Sequence, residues 1–483
     1  MQSSLQSLQA LPRPVYSSVA SGDSARSLYH RLVGQDSLEL APNAELRRAA
    51  RHFLQARLQQ ARALPCELPT DIAALPAWIE DNVARVGRCY QEYLAARQAG
   101  EPRRYFPSRV QALHFLRAVA PTKLVDGAWL YGLVPHWRDA RFTPLIRIYL
   151  EELGEGVPDK NHVLLYRQLL AAQGCEDWDN LDDEHYEQGA IQLALGCAAE
   201  DFLPELIGFN LGYEQLPLHL LITAFELGEL GIDPYYFTLH VTVDNAASGH
   251  ARQALEGLLQ CLPQLGDRTA FYRRVADGYR LNELGVSSLA VIQGFDLDEE
   301  VVAVLSRKSV QGRQMHAQAC RVAGRTVNDW LSDPRQIPAF LHGLEAQGWI
   351  KRHQDPQNSR FWQLIQGPKA QMFGVFSAYE QAVIQHWIAG RWQAPEPARR
   401  ARPLRGIAVQ GLRPEGPCRA TDFNSEERLL QQRLAALPQR EARLDALSPW
   451  LSPRHHHSPV GLLATRLFGQ LLKTTEYAHQ DIP

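Results

Sequence analysis

Cysteine is sparse and dispersed in this chain: there are seven, and no two form a CxxC pair. An odd number of isolated cysteines argues against a disulfide framework and a thiolate zinc site, and it favours a reducing compartment. No apolar run approaches the ~18 residues of a membrane span. The opening residues, MQSSLQSLQALPRP, lack the basic and apolar regions of a secretory signal. We therefore expect a cytoplasmic protein with no membrane partner.

A large net charge of either sign is also missing. Lysine and arginine number 50 against 53 acidic residues, which gives a formal charge of −3. Such a balance provides no overall attraction to nucleic acid or to an anionic membrane. The hydrophobic content of 45% and the charged content of 21% are ordinary for a globular protein. Nucleic acid is therefore not expected as a partner.

Alternating apolar and polar residues, the pattern of a β-strand, are nearly absent before residue 300. Apolar residues recur instead at three- and four-residue steps, which predicts helices. The fold class expected is mainly α. The parts that we expect are a poorly ordered or surface-wrapped N-terminus at 1–40, a helical extension at 41–109, a helical bundle at 110–290, a winged-helix-like region at 291–392, a linker at 393–423 and a helical tail at 424–483.

The C-terminal region differs from the bundle in its pattern. The stretch RTVNDWLSDPRQIPAFLHGLEAQGWIKRHQDPQNSRFWQLI predicts two helices and then a hairpin that turns at 355–358. This is the outline of a winged helix, a module that contacts either DNA or proteins. Because it has no dense basic run, a packing or protein-contact role is favoured. Further on, three histidines at 455–457 lie between prolines, which favours an exposed turn over a metal site.

Two histidines and an acid fall close together in LHVTVDNAASGHA. On a helix, His240 and Asp244 are four residues apart and share a face. His250 comes six residues after Asp244 and would point almost the opposite way on a regular helix. It can join the other two only if the helix is interrupted near 245–249. The spacing alone leaves open whether these residues form a metal site.

Other acids and histidines stand in apolar surroundings. Glu214 has apolar flanks on both sides in IGFNLGYEQLPLHLL, and His162 begins an apolar helix. The segment YLEELGEG adds Glu151, Glu152 and Glu155. A single Glu or His in a helical protein is most often a surface group or a cap, but a buried carboxylate must be paired or coordinate a cation. Carboxylates together with imidazoles suit iron or manganese rather than structural zinc.

Taken together, these motifs resemble the haem-oxygenase-like diiron oxidases and oxygenases over roughly residues 110–290. Members of that family carry a Glu at a helix end, then a glycine-containing turn and a His that opens the next helix. A Glu in a YE-type segment follows, and then His-xxx-Asp with a further His. The metal ligands that the resemblance implies are Glu152, His162, Glu214, His240, Asp244 and His250.

The chain departs from the family pattern in two places. The last histidine of the family falls three residues after the Asp, where this chain has Ala247, so His250 would have to serve across a three-residue insertion. Gly249 allows the break in the helix that this requires. The first acid is ambiguous, and we favour Glu152 over Glu155 because Glu152 lies inside the amphipathic segment.

The resemblance implies a haem-oxygenase-like bundle that holds two Fe ions, cycling between Fe2+ and Fe3+, and uses O2 as co-substrate. An external electron donor would supply reducing equivalents, which fits a reductase partner. The substrate expected is a small molecule, an amino acid or another amine. Reactions known in the family are N-oxygenation, oxidative C–C cleavage and desaturation, often in secondary metabolism. A homodimer is compatible with these expectations. No catalytic residue beyond the ligands and no substrate-binding residue is identified.

Two other functions are weighed against this one. In the first, the protein is a non-enzymatic regulator or scaffold whose winged-helix-like region binds nucleic acid or a protein. It predicts that the candidate ligands do not converge. In the second, a single histidine binds haem, which leaves Glu214, Asp244 and a second histidine buried without a purpose. We rank the haem function last.

Overall fold

A computed structural model of the 483-residue chain describes residues 24–35, 44–215, 217–243, 249–367, 370–393 and 425–480. Within these ranges the chain is mainly helical, which confirms the predicted fold class. The helices are α1 Ala25–Gly34, α2 Ala44–Ala61, α3 Leu75–Gln98, α4 Arg109–Ala118, α5 Ala120–Lys123, α6 Thr143–Glu152, α7 His162–Gln173, α8 Glu187–Cys197, α9 Leu203–Tyr213, α10 Leu218–Glu229 and α11 Tyr235–Val243. They continue with α12 His250–Cys261, α13 Arg268–Arg280, α14 Ser288–Gln293, α15 Leu297–Gly312, α16 Val327–Leu331, α17 Ile337–Ala346, α18 Arg360–Ile365, α19 Ala378–Ala389, α20 Ser425–Ala435, α21 Arg440–Leu447 and α22 Pro459–Gln480.

Short 3-10 helices and one pair of strands connect these elements. Strands β1 (Arg321–Val322) and β2 (Arg325–Thr326) pair in antiparallel fashion. The 3-10 helices are Ile72–Ala74, Ala128–His136, Ala140–Phe142, Gly154–Gly156, Pro158–Lys160, Asp183–Tyr186, Leu281–Glu283, Pro334–Gln336, Pro356–Asn358 and Ser448–Leu451. No helix in the described ranges combines the length and the apolar character needed to cross a membrane.

The buried apolar side chains form two clusters. The first joins α1, α2, α6, α8, α9, α12 and α13 to the C-terminal helices α20–α22. The second joins α4, α7, α10 and α11 to the helices from α14 to α19. Because α6 and α9 belong to the first cluster and α7 and α11 to the second, residues on these four helices can meet at the boundary between the clusters.

Helices α9 and α13 pack closely against each other in the first cluster. Gly208 on α9 makes this approach possible, since a Cβ there would lie 1.8 Å from the carbonyl oxygen of Val275. The pair is also held by Arg274, whose guanidinium contacts the buried carboxylate of Glu205 at 2.7 Å through two nitrogens. A bidentate pair of this kind fixes orientation as well as position. Helix α9 is therefore firmly held just before the chain reaches Glu214.

Helices α2 and α3 lie in the stretch for which a helical extension is predicted, and Glu226 on α10 anchors its end. The buried Glu226 carboxylate accepts hydrogen bonds from the backbone N–H groups of residues 104–106 and from the hydroxyl of Tyr93 at 2.8 Å. Buried donors without partners would destabilise the fold. One carboxylate therefore fixes the chain where the extension meets the bundle.

The β-hairpin that was predicted as the wing of the winged helix is wrong. Helices α16 and α17 occur where two helices were expected, but the residues predicted to form a hairpin turn lie in the 3-10 helix Pro356–Asn358. Helix α18 follows directly, and it buries Phe361, Trp362 and Ile365 in the second cluster. Those three apolar side chains fall on one helical face. The region packs on the bundle and presents no hairpin within 349–367.

The C-terminal tail is helical, as predicted, and packs on the bundle. The hydroxyl of Tyr149 on α6 donates to the carbonyl of Leu451 at 2.5 Å. The three histidines at 455–457 do not form the exposed turn that the sequence predicts, because His456 is buried and its Nδ1 lies 3.1 Å from the side-chain nitrogen of Asn161. The tail therefore packs against the connection between α6 and α7.

The segment 1–40 is described only at 24–35, where α1 buries Leu28, Tyr29 and Leu32. These residues pack on the first cluster, so this part of the N-terminus is ordered although its sequence shows weak periodicity. The expected linker at 393–423 lies outside the described residues except for Gln393. The domain boundaries given above stay predictions.

We predict that Glu226→Ala lowers the free energy of unfolding by about 2–4 kcal/mol, since three backbone donors would lose their acceptor. Urea denaturation followed by circular dichroism measures this. The matched control is Glu229→Ala on the same helix, which removes an exposed pair with Arg97 and should change stability by less than about 1 kcal/mol. Equal effects of the two substitutions would contradict the anchoring role of Glu226.

Candidate metal centre

Acidic and histidine side chains from six segments of the chain converge at the boundary between the two apolar clusters. The possible metal-ligand atoms form two groups. Within each group, all of these atoms lie within 4.8 Å of one another. The first group comprises Asp126, Glu152, His162 and His240, and the second comprises Glu152, Glu214 and His250. All six residues are buried. We call them the acid–histidine cluster.

The first group is arranged around Asp126 and Glu152. Oδ2 of Asp126 lies 3.3 Å from Nε2 of His240 and 3.8 Å from Nδ1 of His162. Oε2 of Glu152 lies 2.5 Å from the same Nδ1 of His162. The other nitrogen of His240, Nδ1, lies 2.8 Å from the carbonyl oxygen of Tyr236. Because a carbonyl only accepts, that nitrogen carries the hydrogen, and Nε2 of a neutral His240 presents a lone pair toward Asp126.

The second group is built around His250. Its Nδ1 lies 3.0 Å from Oε2 of Glu214 and 3.3 Å from Oε1 of Glu152. Its Nε2 lies 2.9 Å from Oε2 of Glu151, a half-exposed carboxylate outside the cluster. Glu152 thus directs one oxygen to each group. A carboxylate placed in this way can bridge two cations.

A tight turn places Glu152 and His162 next to each other. Gly154 adopts φ +64°, and a Cβ there would lie 2.4 Å from the backbone nitrogen of Asn161. Asn161 caps α7 by accepting from the backbone N–H of Leu164 at 2.9 Å, and its side-chain nitrogen donates to the carbonyl of Leu153 at 3.1 Å. Asn161 therefore ties the end of α6 to the start of α7, which fixes the spacing of the two ligand candidates.

The alternative first acid, Glu155, lies away from the cluster. It adopts φ +50° in the turn after α6, and its carboxylate contacts Nζ of Lys473 at 2.8 Å on the surface. Glu152, by contrast, is 5% exposed and contacts two histidines. The geometry favours Glu152 over Glu155 as the cluster acid.

The helix break that brings His250 into the site is present. Helix α11 ends at Val243, and α12 begins at His250, with Gly249 as its N-cap. His240 and His250 therefore come from two different helices. Asp244 lies outside the described residues, so its predicted role as a ligand stays a prediction.

Asp126 is a member of the cluster that the sequence analysis missed. It follows α5 in the segment KLVDGAWLYGLV, where it is the single acid in an apolar stretch and is fully enclosed. The hydroxyls of Tyr213 and Tyr236 donate to its two oxygens at 2.9 and 2.7 Å. The signal available from sequence was the same one that identified Glu214, a lone carboxylate among apolar residues.

In the absence of a cation, His162 and His250 act as counter-ions of the acids. Burial disfavours the charge of Glu152, but the neighbouring His162 outweighs this effect and lowers the pKa of Glu152 to about 2. Burial likewise opposes protonation of His162, yet Glu152 and Asp126 raise its pKa to about 10. The pKa of Glu214 is raised, chiefly because of burial. The cluster is thus a site where carboxylates require positive charge nearby.

The donor set fits a pair of hard to borderline divalent cations. It combines carboxylate oxygens with imidazole nitrogens and contains no thiolate, which suits iron or manganese. One carboxylate oxygen, Oε1 of Glu214, is buried without a hydrogen-bond partner among the described residues. Such an oxygen is unfavourable unless something binds it. A metal ion in the second group would satisfy it.

Residues 113–282 match the family model described as iron-containing redox enzyme. This match confirms the haem-oxygenase-like resemblance. Residues 113–282 are therefore similar to the iron-containing redox enzymes, and the cluster lies within this span. No curated protein and no solved structure matches the chain significantly.

We predict that the metal-free protein is most stable between about pH 4.5 and 6.5. The raised pKa of His162 gives stability that is complete below its ordinary value of 6.5 and is lost as the pH rises toward about 10. The lowered pKa of Glu152 gives stability that is complete above its ordinary value of 4.5 and is lost as the pH falls toward about 2. Thermal denaturation of chelator-treated protein across pH 4–10 measures the effect.

In the same experiment, His162→Gln should flatten the decline above pH 6.5, because it removes one of the titrating groups. A Tm that rises steadily from pH 6.5 to 9 in the unaltered protein would contradict the ion-pair account of the metal-free cluster.

Proposed function

We propose that the protein is a non-haem diiron oxidase or oxygenase that uses O2 to oxidise a small organic substrate, an amino acid or another amine. The family match supports iron and redox chemistry. The finer assignment depends on one observation, the two ligand groups that share Glu152. One metal ion would need only one ligand group. The chain also buries Glu214 and His250, which with Glu152 make up a second group.

The charges of the cluster suit two ferrous ions. Asp126, Glu152 and Glu214 supply three negative charges, and Asp244 would supply a fourth. Four carboxylates would balance the four positive charges of two ferrous ions, so the loaded site would be close to neutral in a buried setting. His162 and His250, whose pKa values are raised in the metal-free state, would then bind as neutral imidazoles and release a proton each.

The surrounding residues hold the ligand candidates in place. Two tyrosine hydroxyls donate to Asp126, and the carbonyl of Tyr236 fixes the orientation of His240. Glu151 does the same for His250, by accepting from Nε2 while Nδ1 faces the second group. Partners of this kind fix the tautomer and orientation of a metal-bound histidine and raise its basicity.

When bound, two irons supply the reduction of O2 that none of the side chains can carry out, and an external donor returns the electrons. The residues of the chain supply the enclosure. Each of the six cluster residues is less than 10% exposed, so bulk water is largely excluded from the reacting atoms. The apolar walls around the site also limit side reactions of an oxidising centre.

Other aspects of the proposal come from the family resemblance alone. These are the amino acid or amine substrate, the external electron donor, the reductase partner and the homodimer. The cytoplasmic location is proposed from the dispersed cysteines of the sequence. The alternative function, a regulator with a winged-helix-like module, predicts scattered ligand candidates and a wing. Convergence of the cluster and the helical segment at 356–365 both favour the diiron function over that alternative.

We predict that the apo-protein binds two Fe(II) ions per chain in an anaerobic titration and then consumes O2. Glu152→Gln and Glu214→Gln should reduce the stoichiometry to one or fewer, because each removes a charged ligand from the cluster. Iron-dependent O2 consumption should be abolished, and the helical circular dichroism should be retained.

The matched control is Glu155→Gln, which alters a surface acid three residues from Glu152 and should leave both irons bound. One tightly held zinc, or no iron, in the unaltered protein would contradict the diiron function. Full activity of Glu214→Gln would show that the cluster has been assigned wrongly.

A separate prediction concerns Glu151. The variant Glu151→Gln should keep the two-iron stoichiometry but weaken the affinity for the more weakly bound ion by about 10- to 100-fold. Competition with a chromophoric chelator measures the dissociation constants. The control is Glu256→Gln, an exposed acid on α12 that contacts Gln260 at 2.8 Å. Unchanged affinity in Glu151→Gln would exclude a positioning role for that carboxylate.

A further inference from the structure

A turn with an unfavourable backbone separates two of the ligand candidates. Glu152 ends α6 and His162 begins α7. Between them, three consecutive residues have positive φ: Gly154 at +64°, Glu155 at +50° and Gly156 at +77°. Positive φ is strained for a residue with a side chain, and such strain persists only where the surroundings hold it in place. The distance between the two ligand candidates therefore depends on what packs against this turn.

The C-terminal tail packs directly on the turn. A Cβ at Gly156 would lie 2.3 Å from the carbonyl oxygen of Leu462 and 2.8 Å from the backbone nitrogen of Arg466, both on α22. The guanidinium of Arg466 also donates to the carbonyl of Gly156 at 3.4 Å. Because the two backbones touch with no side chain between them, a shift of α22 would displace the turn. The tail lies outside 113–282, the span of the family match.

His456 makes a buried hydrogen bond to the residue before His162. The side-chain nitrogen of Asn161 lies 3.1 Å from Nδ1 of His456 and 3.1 Å from the carbonyl oxygen of Leu153. Because an amide nitrogen only donates, one N–H points to each, and Nδ1 of His456 is the acceptor. Burial lowers the pKa of His456, which keeps the ring neutral and this lone pair available. Asn161 and His456 are each at most 1% exposed, so bulk water does not replace the histidine.

The tail also holds the helix that carries Glu152. The hydroxyl of Tyr149 on α6 donates to the carbonyl of Leu451 at 2.5 Å, and Tyr149 is fully enclosed. Tyr149 lies three residues before Glu152, so the two side chains are neighbours on the helix. The tail thus contacts the chain on both sides of the turn, at α6 and just before α7.

We propose that His456 is a positioning residue for the metal centre: its hydrogen bond to Asn161 sets the distance between the ligand candidates on α6 and α7, and docking of the tail is thereby coupled to metal binding. This inference rests on the proposed function and assigns a role to a segment that the family match does not cover. Coupling of this kind is reciprocal. A bound metal should therefore hold the tail more firmly, and loss of the hydrogen bond should weaken metal binding.

The test removes the acceptor and then restores it. In His456→Leu the acceptor is lost and an apolar side chain fills the space. Fe(II) dissociation constants of the full-length protein, measured anaerobically by competition with a chromophoric chelator, should rise about 10- to 100-fold for at least one ion, the effect of losing a residue that orients metal ligands. In His456→Asn the amide oxygen replaces Nδ1, and most of the affinity should return. In His456→Gln the oxygen lies near the position of Nε2 instead, and the affinity should stay low.

Two further measurements separate positioning from a general loss of stability. Co(II) bound in place of Fe(II) gives visible absorption bands that depend on the number and geometry of its ligands. His456→Leu should shift these bands, and His456→Asn should not. Hydrogen exchange of backbone amides should be faster at 153–161 in metal-free His456→Leu than in the unaltered protein. Fe(II) should slow exchange at 451–473 in the unaltered protein but not in His456→Leu.

The control is Lys473→Met, which removes another contact between the tail and the turn. Nζ of Lys473 lies 2.8 Å from Oε1 of Glu155, and the two side chains are 63% and 52% exposed. Because an ion pair that is open to solvent contributes little, this substitution should leave the Fe(II) affinity and the Co(II) bands unchanged.

Unchanged Fe(II) affinity and Co(II) bands in folded His456→Leu would overturn the proposal. So would equal Fe(II) affinities of His456→Asn and His456→Gln, since the position of the acceptor would then be irrelevant, and this comparison decides the matter if His456→Leu does not fold. Failure of the diiron function is recognised separately, as missing Fe(II) stoichiometry in the unaltered protein. Exchange at 153–161 in the metal-free proteins then still tests the contact, and equal rates in His456→Leu and the unaltered protein would contradict it.

Discussion

Mutual charge compensation in a buried site is the constraint on which this structure depends. Asp126, Glu152 and Glu214 lie in an apolar interior where an isolated carboxylate is strongly unfavourable. His162 and His250 supply the compensating positive charge in the metal-free state, and a pair of cations would supply it in the loaded state. The fold around them is arranged to hold opposite charges at close range and to exclude water. Redox chemistry in such an enclosure requires metal ions, since none of these side chains activates O2 by itself.

The N-terminal extension and the C-terminal tail help to hold the bundle around the acid–histidine cluster. Asn161 ties α6 to α7 and also contacts His456 of the C-terminal tail. The tail thereby supports the turn between Glu152 and His162 from outside. At the other end of the bundle, Glu226 fixes the N-terminal extension through four hydrogen bonds. A family match confined to 113–282 therefore describes a domain whose neighbours in sequence are packed onto it.

Sequence periodicity predicted the mainly α fold, and apolar flanks identified Glu214 correctly as a buried acid. Glycine signalled the break before His250, because a regular helix could not have joined it to His240. Local sequence pattern did not predict the features that depend on tertiary packing. Asp126 has apolar flanks as Glu214 does, but it comes from a short turn without helical periodicity, and tertiary packing places it beside the histidines. The predicted wing was wrong because apolar residues at 361–365 pack along a helical face, and His456 is buried by a segment distant in sequence.

The central claim of the proposed function is that the two ligand groups that share Glu152 would each hold one iron. Crystals grown anaerobically with Fe(II) would test this most directly by anomalous diffraction measured at the iron absorption edge. The account predicts two peaks, one beside Asp126, His162 and His240 and the other beside Glu214 and His250. A single peak, or iron bound at a place that Glu152 does not contact, would contradict it.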